Sequence, residues 1–469
     1  MRILVALANY GVKNRKFLDK LLAAYRSMPH EVHIVVLSDR PKDDLGDDVE
    51  VLVGTPTEDP WSLPFAHRPL FRDRIEDYDL FIYSEDDTLL TPENLEAWLQ
   101  VQPLLPADRI AGFLRYEVFQ DGSLSYCGVH YHYHFDPKSV EVHGGEVFVS
   151  FTNEHSALYI LTRDQLRRCL ESGGFDMLPH QGRYDMLVSA ASDPYTQCGL
   201  QRRICVSRGR DFLLKHLPNV YLDRIGVPER FIQPQLDAIL RIAAGEESRD
   251  ELFDPKVRVD VHREAWNKDY HPVQEPRYLP LVAQPGQRVL AVGVGSGLLE
   301  MPWLEAGAKV TVIPMDSIVA AGLKARGFEV LAPNLERAIA ELNGRRFERI
   351  VLHHILEHVA EPVAWLRRLA ELLEPGGRLL VTSANQTGRA LRMRKRREPY
   401  PLRRGMPFAE SHYHYTTAKI VAGWIQAAGL VPGRPHFLLR NKAQRLARYG
   451  LGLLDSRLAD AFLFEAHRA

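Results

Sequence analysis

The chain has 469 residues, with 45% hydrophobic and 25% charged content, an ordinary balance for a globular protein and enough length for roughly two to three domains. A formal net charge of −1 argues against a broad nucleic-acid-binding surface and gives no electrostatic pull towards an anionic membrane. No apolar run reaches the roughly 18 residues of a membrane span. Four cysteines without CxxC spacing (Cys127, Cys169, Cys198, Cys205) suit free thiols in a reducing cytoplasm, with peripheral attachment at the inner face of a membrane left open.

The apolar start, Arg2 to Leu7, is too short for a signal h-region and reads as a first strand over residues 2–8. A helical pattern at 15–28, a strand from Val32 to Leu37 and a strand-like piece from Val49 to Val53 follow. Strands alternating with helices predict a parallel α/β sheet. The apolar run Tyr78 to Ile82 then closes on Tyr83-Ser84-Glu85-Asp86-Asp87-Thr88. Three adjacent carboxylates at the end of a buried strand repel one another and lose hydration, a cost offset by a bound cation or opposing charge. Mg²⁺ or Mn²⁺ bridging to phosphates fits this pattern; a solvated acidic turn is the plain alternative. Arg68, Arg72 and Arg74, just ahead, suit phosphates or a surface helix equally. His130, His132 and His134 share one face if extended, which fits zinc or, better, a polar acceptor-binding surface. Asp185, ahead of the apolar run Met186 to Ala191, suits either a general base or a helix N-terminal carboxylate.

A polar helix (Ile232 to Ala244) and the charged turn 245–250 read as a linker. After Pro285-Gly286 the pattern restarts: a strand at 288–292, the loop Gly293-Val294-Gly295-Ser296-Gly297, and further strands at 309–313, 329–331, 349–352 and 378–382. Glycines between a strand and a helix let the backbone approach a ligand closely. The arginine-rich stretch 389–404 reads as a solvated loop or as a lid over an anionic acceptor.

Residues 288–297, His353-His354-Ile355-Leu356-Glu357-His358-Val359, Leu373 to Val381, and the later Ser411 to Thr416 with Trp424 to Leu430 occur in an order that resembles class I methyltransferases using S-adenosylmethionine. That resemblance implies cofactor contacts at Gly293, Gly295, Gly297, Asp316 and Asn334, and places His354 near the methyl-transfer site as a catalytic candidate. Two departures stand out. Ala291 occupies a position usually acidic in the family, and Pro314 ends the second strand where an acidic residue usually takes both ribose hydroxyls, with Asp316 two residues later. The outcome is an active methyltransferase or a retained fold serving as scaffold or glycan-binding module.

The acidic triplet after parallel α/β strands makes the first half resemble a GT-A-type glycosyltransferase, in which a DxD-like motif holds Mn²⁺ or Mg²⁺ against a sugar-nucleotide diphosphate. The resemblance implies Asp87 and His216 as metal ligands, Glu85 and Asp86 against metal or ribose, and Asn9, Tyr10, Asp39 and Arg72 around the nucleotide. Asp185 becomes the candidate general base of an inverting transfer. The expected architecture is thus α/β with two Rossmann-like domains: a GT-A fold (1–227), a helical linker (228–261) and a class I methyltransferase fold (262–469). The expected function is bifunctional, with a nucleotide-sugar donor and a glycan or lipid-linked glycan acceptor in cell-surface polysaccharide synthesis. Neither nucleic acid nor a transmembrane segment is expected, and the sequence leaves the oligomeric state open.

Overall fold

The structure is a computed structural model of the chain. It describes residues 1–126, 134–151, 153–181, 184–222, 226–253, 284–387, 404–411, 413–439, 455–459 and 461–468. Cys127, His130, His132, His412, the basic residues between Arg389 and Arg403, and residues 254–261 of the expected linker lie outside the described residues. The chain forms two compact units, Met1–Glu247 and Ser248–Ala469.

In the first unit the strands are, in chain order, β1 (Arg2–Asn9), β2 (Glu31–Ser38), β3 (Val49–Val53), β4 (Leu80–Glu85), β5 (Thr88–Leu89), β6 (Arg109–Gly112), β7 (Leu114–Val118), β8 (Leu124–Tyr126), β9 (Glu141–His143), β10 (Glu146–Val149), β11 (Leu158–Thr162), β12 (Gln201–Cys205), β13 (Leu213–His216) and β14 (Val227–Pro228). The helices are α1 (Arg15–Arg26), α2 (His67–Asp73), α3 (Pro92–Val101), α4 (Arg163–Glu171), α5 (Met186–Thr196) and α6 (Glu229–Ala243). One sheet has the order β11-β4-β1-β2-β3, parallel except for β11. Its central strands are nearly continuous apolar runs because helices cover both faces; α1, for example, buries Leu18, Leu21, Leu22 and Tyr25 at helical spacing.

The order reverses between β1 and β4, which makes their carboxyl ends a topological switch point, the usual crevice for ligands in open α/β sheets. Asn9 ends β1 and Glu85 ends β4. Asp86 and Asp87 form the turn into β5, and β5 pairs antiparallel with β13, setting His216 opposite Thr88. β13 also pairs with β7, which carries Arg115 and Glu117. The helix expected as a linker, α6, belongs instead to the first unit: Ile232, Leu236 and Ile239 form its buried stripe. The residues after the turn, Leu252 and Phe253, join the core of the second unit.

The second unit contains β15 (Arg288–Val294), β16 (Lys309–Pro314), β17 (Glu329–Val330), β18 (Phe347–His353), β19 (Leu373–Ala384), β20 (Leu430–Pro432), β21 (His436–Leu438) and β22 (Ala461–Arg468). Its helices include α7 (Met301–Glu305), α8 (Ser317–Ala325), α9 (Leu335–Leu342), α10 (Pro362–Ala370) and α11 (Ala418–Ala427). The sheet order is β17-β16-β15-β18-β19-β22-β20, with β22 antiparallel to β19. Here the order reverses between β15 and β18, so the glycine loop leaves the sheet at its own switch point.

Candidate functional site

Each unit has a site at its switch point. In the second unit, Ala291, Gly293, Gly295, Gly297, Val351 and His353 line a cleft. Gly293 and Gly297 have φ of +75° and +80°, the left-handed region open to glycine. A Cβ on Gly293 would stand 2.3 Å from Ile355 Cδ1, and one on Gly297 would stand 2.7 Å from Leu323 Cδ2. Glycine at these two positions lets the loop pack closely on Ile355 and Leu323 while it lines the cleft.

His354, the expected catalytic histidine, does not line this cleft; His353 does. The reason is strand alternation. Val351 and His353 are two residues apart on β18 and share a face, whereas the backbone turns left-handed at His354, with φ +55°. His354 is buried, with Nδ1 3.2 Å from Glu357 Oε1. His353 is fixed instead by Thr382, whose Oγ1 lies 2.9 Å from His353 Nδ1.

Asp316 also departs from expectation. It is 0% exposed and caps α8, its Oδ1 accepting from Val319 N at 2.8 Å, and the backbone of Glu251 bridges to it. One of its carboxylate oxygens is thereby committed to capping the helix. Asn334 caps α9, accepting from Arg337 N, and is exposed away from the glycine cleft. Pro314, the last residue of β16, offers no side-chain acceptor.

Glu357 is the hub beneath this site. It is 0% exposed; Oε1 accepts from Ala384 N at 2.7 Å and contacts His354. Burial alone pushes its carboxyl up, but the His354 hydrogen bond, the charges of His354 and His358 and the Ala384 N–H outweigh it and hold the pKa at about 2. A carboxyl lowered on folding stabilises fully above its unfolded value of about 4.3, and that contribution disappears as pH falls towards 2. Glu357→Gln should therefore cost about 1.5–3 kcal/mol at pH 7, the worth of hydrogen bonds to a charged group. The gap between variant and wild type should narrow in urea melts at pH 3; a gap constant with pH would remove this role.

In the first unit the acidic triplet divides its partners. Asp86 faces β1: Asn9 Nδ2 donates to its Oδ2, and Asn14 Nδ2 donates to its Oδ1 at 2.8 Å. Asp87 faces β13, its Oδ2 lying 3.5 Å from His216 Nε2. His216 Nδ1 in turn lies 2.6 Å from Glu117 Oε1, and Tyr221 N donates to the other Glu117 oxygen at 2.9 Å. Glu85 has a buried Oε1 without a hydrogen-bond partner; burial, then the Asp87 charge, raises its pKa to about 8 against the pull of Arg115. Burial raises the Asp86 carboxyl to about 6, although the bonds from Asn14 and Asn9 oppose it. Asp87 is lowered: its burial is outweighed by the His216 hydrogen bond and charge.

Tyr10 is 54% exposed beside this turn. Asp39, after β2, accepts from Gly11 N at 2.7 Å and pairs with Arg40; burial opposes these partners, yet the carboxyl is lowered. Asp185 is exposed and caps α5, accepting from Val188 N at 2.9 Å, and its charge bears on Glu85. Arg72 is a correction. It sits at the end of α2 that leads into the start of β4, opposite the acidic end, and pairs with Asp73 and Asp176. Arg68, one turn earlier, is buried and pairs with Asp193. Sequence reasoning missed Asn14, Arg115 and Glu117, and it named His354 rather than the neighbouring His353 as the catalytic candidate.

Residues 265–432 match the family described as "Methyltransferase domain". Over 188 residues the chain is 30% identical to the ubiquinone biosynthesis O-methyltransferase of Xanthomonas campestris pv. campestris (strain B100), covering 38% of this chain and 78% of that protein. It is 33% identical over 174 residues to the protein of the same description from Xanthomonas euvesicatoria pv. vesicatoria (strain 85-10), covering 35% and 72%. A SAM dependent methyltransferase from Archaeoglobus fulgidus aligns in structure with TM-score 0.34 and 13% identity, covering 44% of this chain and 96% of that one. Among the described residues no helix is long and apolar enough to cross a membrane.

Proposed function

The chain belongs to the methyltransferase family through its C-terminal half, and from that premise we propose a bifunctional enzyme. Its second unit methylates an acceptor from S-adenosylmethionine, and its first transfers a sugar from a nucleotide donor to a glycan. When bound, S-adenosylmethionine supplies an electrophilic methyl group. The cleft fits it: Gly293, Gly295 and Gly297 line it, and the close packing of Gly293 on Ile355 and of Gly297 on Leu323 leaves no room for a Cβ. His353, which lines the cleft and is held by Thr382, is the candidate base for the acceptor hydroxyl.

The single observation that carries the glycosyltransferase assignment is the division of Asp86 and Asp87 between Asn9–Asn14 and His216–Glu117 at a switch point. A histidine whose second ring nitrogen meets a carboxylate is the usual support of a metal ligand. Among the described residues no three His, Cys, Asp or Glu side chains form a metal site by themselves. Mn²⁺ or Mg²⁺ held by Asp87 and His216 would thus complete its shell with phosphate oxygens and water, supplying charge neutralisation to the leaving diphosphate. Asn9, Tyr10, Asp39 and Asp86 would border the nucleoside, and Asp185 would accept the proton of the attacking hydroxyl. Titrating the full chain with uridine diphosphate, with and without Mn²⁺, tests this assignment; heat independent of Mn²⁺ would refute it.

Pro314 and the buried Asp316 favour a second reading, a methyltransferase fold kept as scaffold or glycan-binding module. Pro314→Asp separates the two. A carboxylate taking ribose hydroxyls is worth about 1.5–3 kcal/mol per bond, so S-adenosylhomocysteine should bind at least about tenfold tighter to the variant. No gain by calorimetry would support the scaffold.

A further inference from the structure

The first unit holds a second cavity, walled by aromatic and basic residues. Aromatic rings of Phe113, Tyr126, Phe135 and Phe151 wall it, and the guanidinium groups of Arg115 and Arg202 border it. Both arginines are buried, at 6% exposure each. Arg202 donates to the backbone carbonyls of Asn153 and Phe113, which hold the group but do not neutralise it. Burial correspondingly pushes its pKa down. Arg115 Nη2 is buried without a hydrogen-bond partner, and Arg115 acts on Glu85 and Asp87 through space alone.

A buried cation without a bonded counter-charge is costly, and two beside one cavity more so. An arginine fork matches a carboxylate or phosphate in geometry as well as charge, while aromatic walls suit the flat faces of a ring. Asn153 and His155 add polar edges. We propose that this cavity binds the carboxylate or phosphate group of a ring-bearing molecule, the oxyanion accepting from Arg115 Nη2. Identifying that molecule as the acceptor of the sugar transfer rests on the function proposed above; the binding of an oxyanion does not.

The test is calorimetric titration of the full chain, without nucleotide or divalent cation, against D-glucuronate, D-glucose 6-phosphate and D-glucose. One or both anionic sugars should bind with a single site, glucose at least tenfold more weakly, and the stronger of the two anions identifies the group recognised. Arg115→Met should weaken anion binding at least tenfold, and thermal melts of the apo protein separate that loss from the stability change expected when its attraction to Glu85 and Asp87 is removed. If that variant does not fold, Arg115→Lys, which keeps the charge but not the fork, should weaken binding severalfold. Equal binding of glucose, unchanged anion affinity in the variant that folds, or no binding of either anion would overturn the proposal. None of these outcomes depends on Asp87 or a metal, so failure here is distinct from failure of the glycosyltransferase assignment.

Discussion

Gly293→Val should abolish detectable binding of S-adenosylmethionine, a loss of at least about a hundredfold or about 2.7 kcal/mol. At φ +75° a β-branched residue is a backbone outlier, and its Cβ would lie 2.3 Å from Ile355 Cδ1. Ile355 is 0% exposed in the core of the second unit, so it has no open space into which to retreat. The glycine loop must move, and any movement disturbs the surface on which the cofactor would lie. Gly286 is the control: its φ is +79°, but a Cβ there meets nothing within 4 Å. Gly286→Ala should pay backbone strain of about 1–2 kcal/mol and bind the cofactor as wild type does. Calorimetry with S-adenosylhomocysteine, alongside thermal melts, separates lost binding from lost stability. Binding within threefold of wild type in Gly293→Val would move the cofactor site away from this loop.

Much of the architecture was legible because the strands are apolar runs bounded by glycine, proline or charge. Residues 288–292 and 309–313 fall inside β15 and β16, and Tyr78 to Tyr83 overlaps β4. Side-chain direction was harder to read. Two adjacent histidines at the end of β18 cannot be told apart without knowing which shares a face with Val351, and the left-handed turn at His354 has no glycine to announce it. Asp316 shows a related ambiguity: an aspartate just after a strand can serve as a helix cap or as a ligand, and the segment at Glu251 that bridges to it is distant in sequence. Asn14, Arg115 and Glu117 reach the acidic turn through tertiary contacts between separate strands and helices, so no local spacing exposes them. The polar face of α6 resembled a linker, but Ile232, Leu236 and Ile239 form a stripe that a helical count of the apolar positions could have detected.

Asp87→Ala should eliminate Mn²⁺-dependent binding of uridine diphosphate, with affinity falling at least about a hundredfold. The carboxylate faces His216 across 3.5 Å, and no neighbouring group can replace it: Glu85 lies further back with a raised pKa of about 8, and Asp86 is committed to Asn9 and Asn14. The apo protein should lose some stability at pH 7, because the His216 hydrogen bond and charge that hold the Asp87 carboxyl low disappear and relief of its repulsion with Glu85 offsets only part of that loss. Glu117→Gln should give a milder result. It leaves both ligands in place but weakens the group that orients His216, and such supporting partners usually contribute about 10–100-fold to metal affinity. Graded losses in Mn²⁺ titrations, largest for Asp87→Ala and intermediate for Glu117→Gln, would distinguish a supported metal site from an acidic turn that is merely solvated. Equal affinities in all three proteins would leave the repulsion at the end of β4 without a bound cation to offset it, and the first unit without its proposed chemistry.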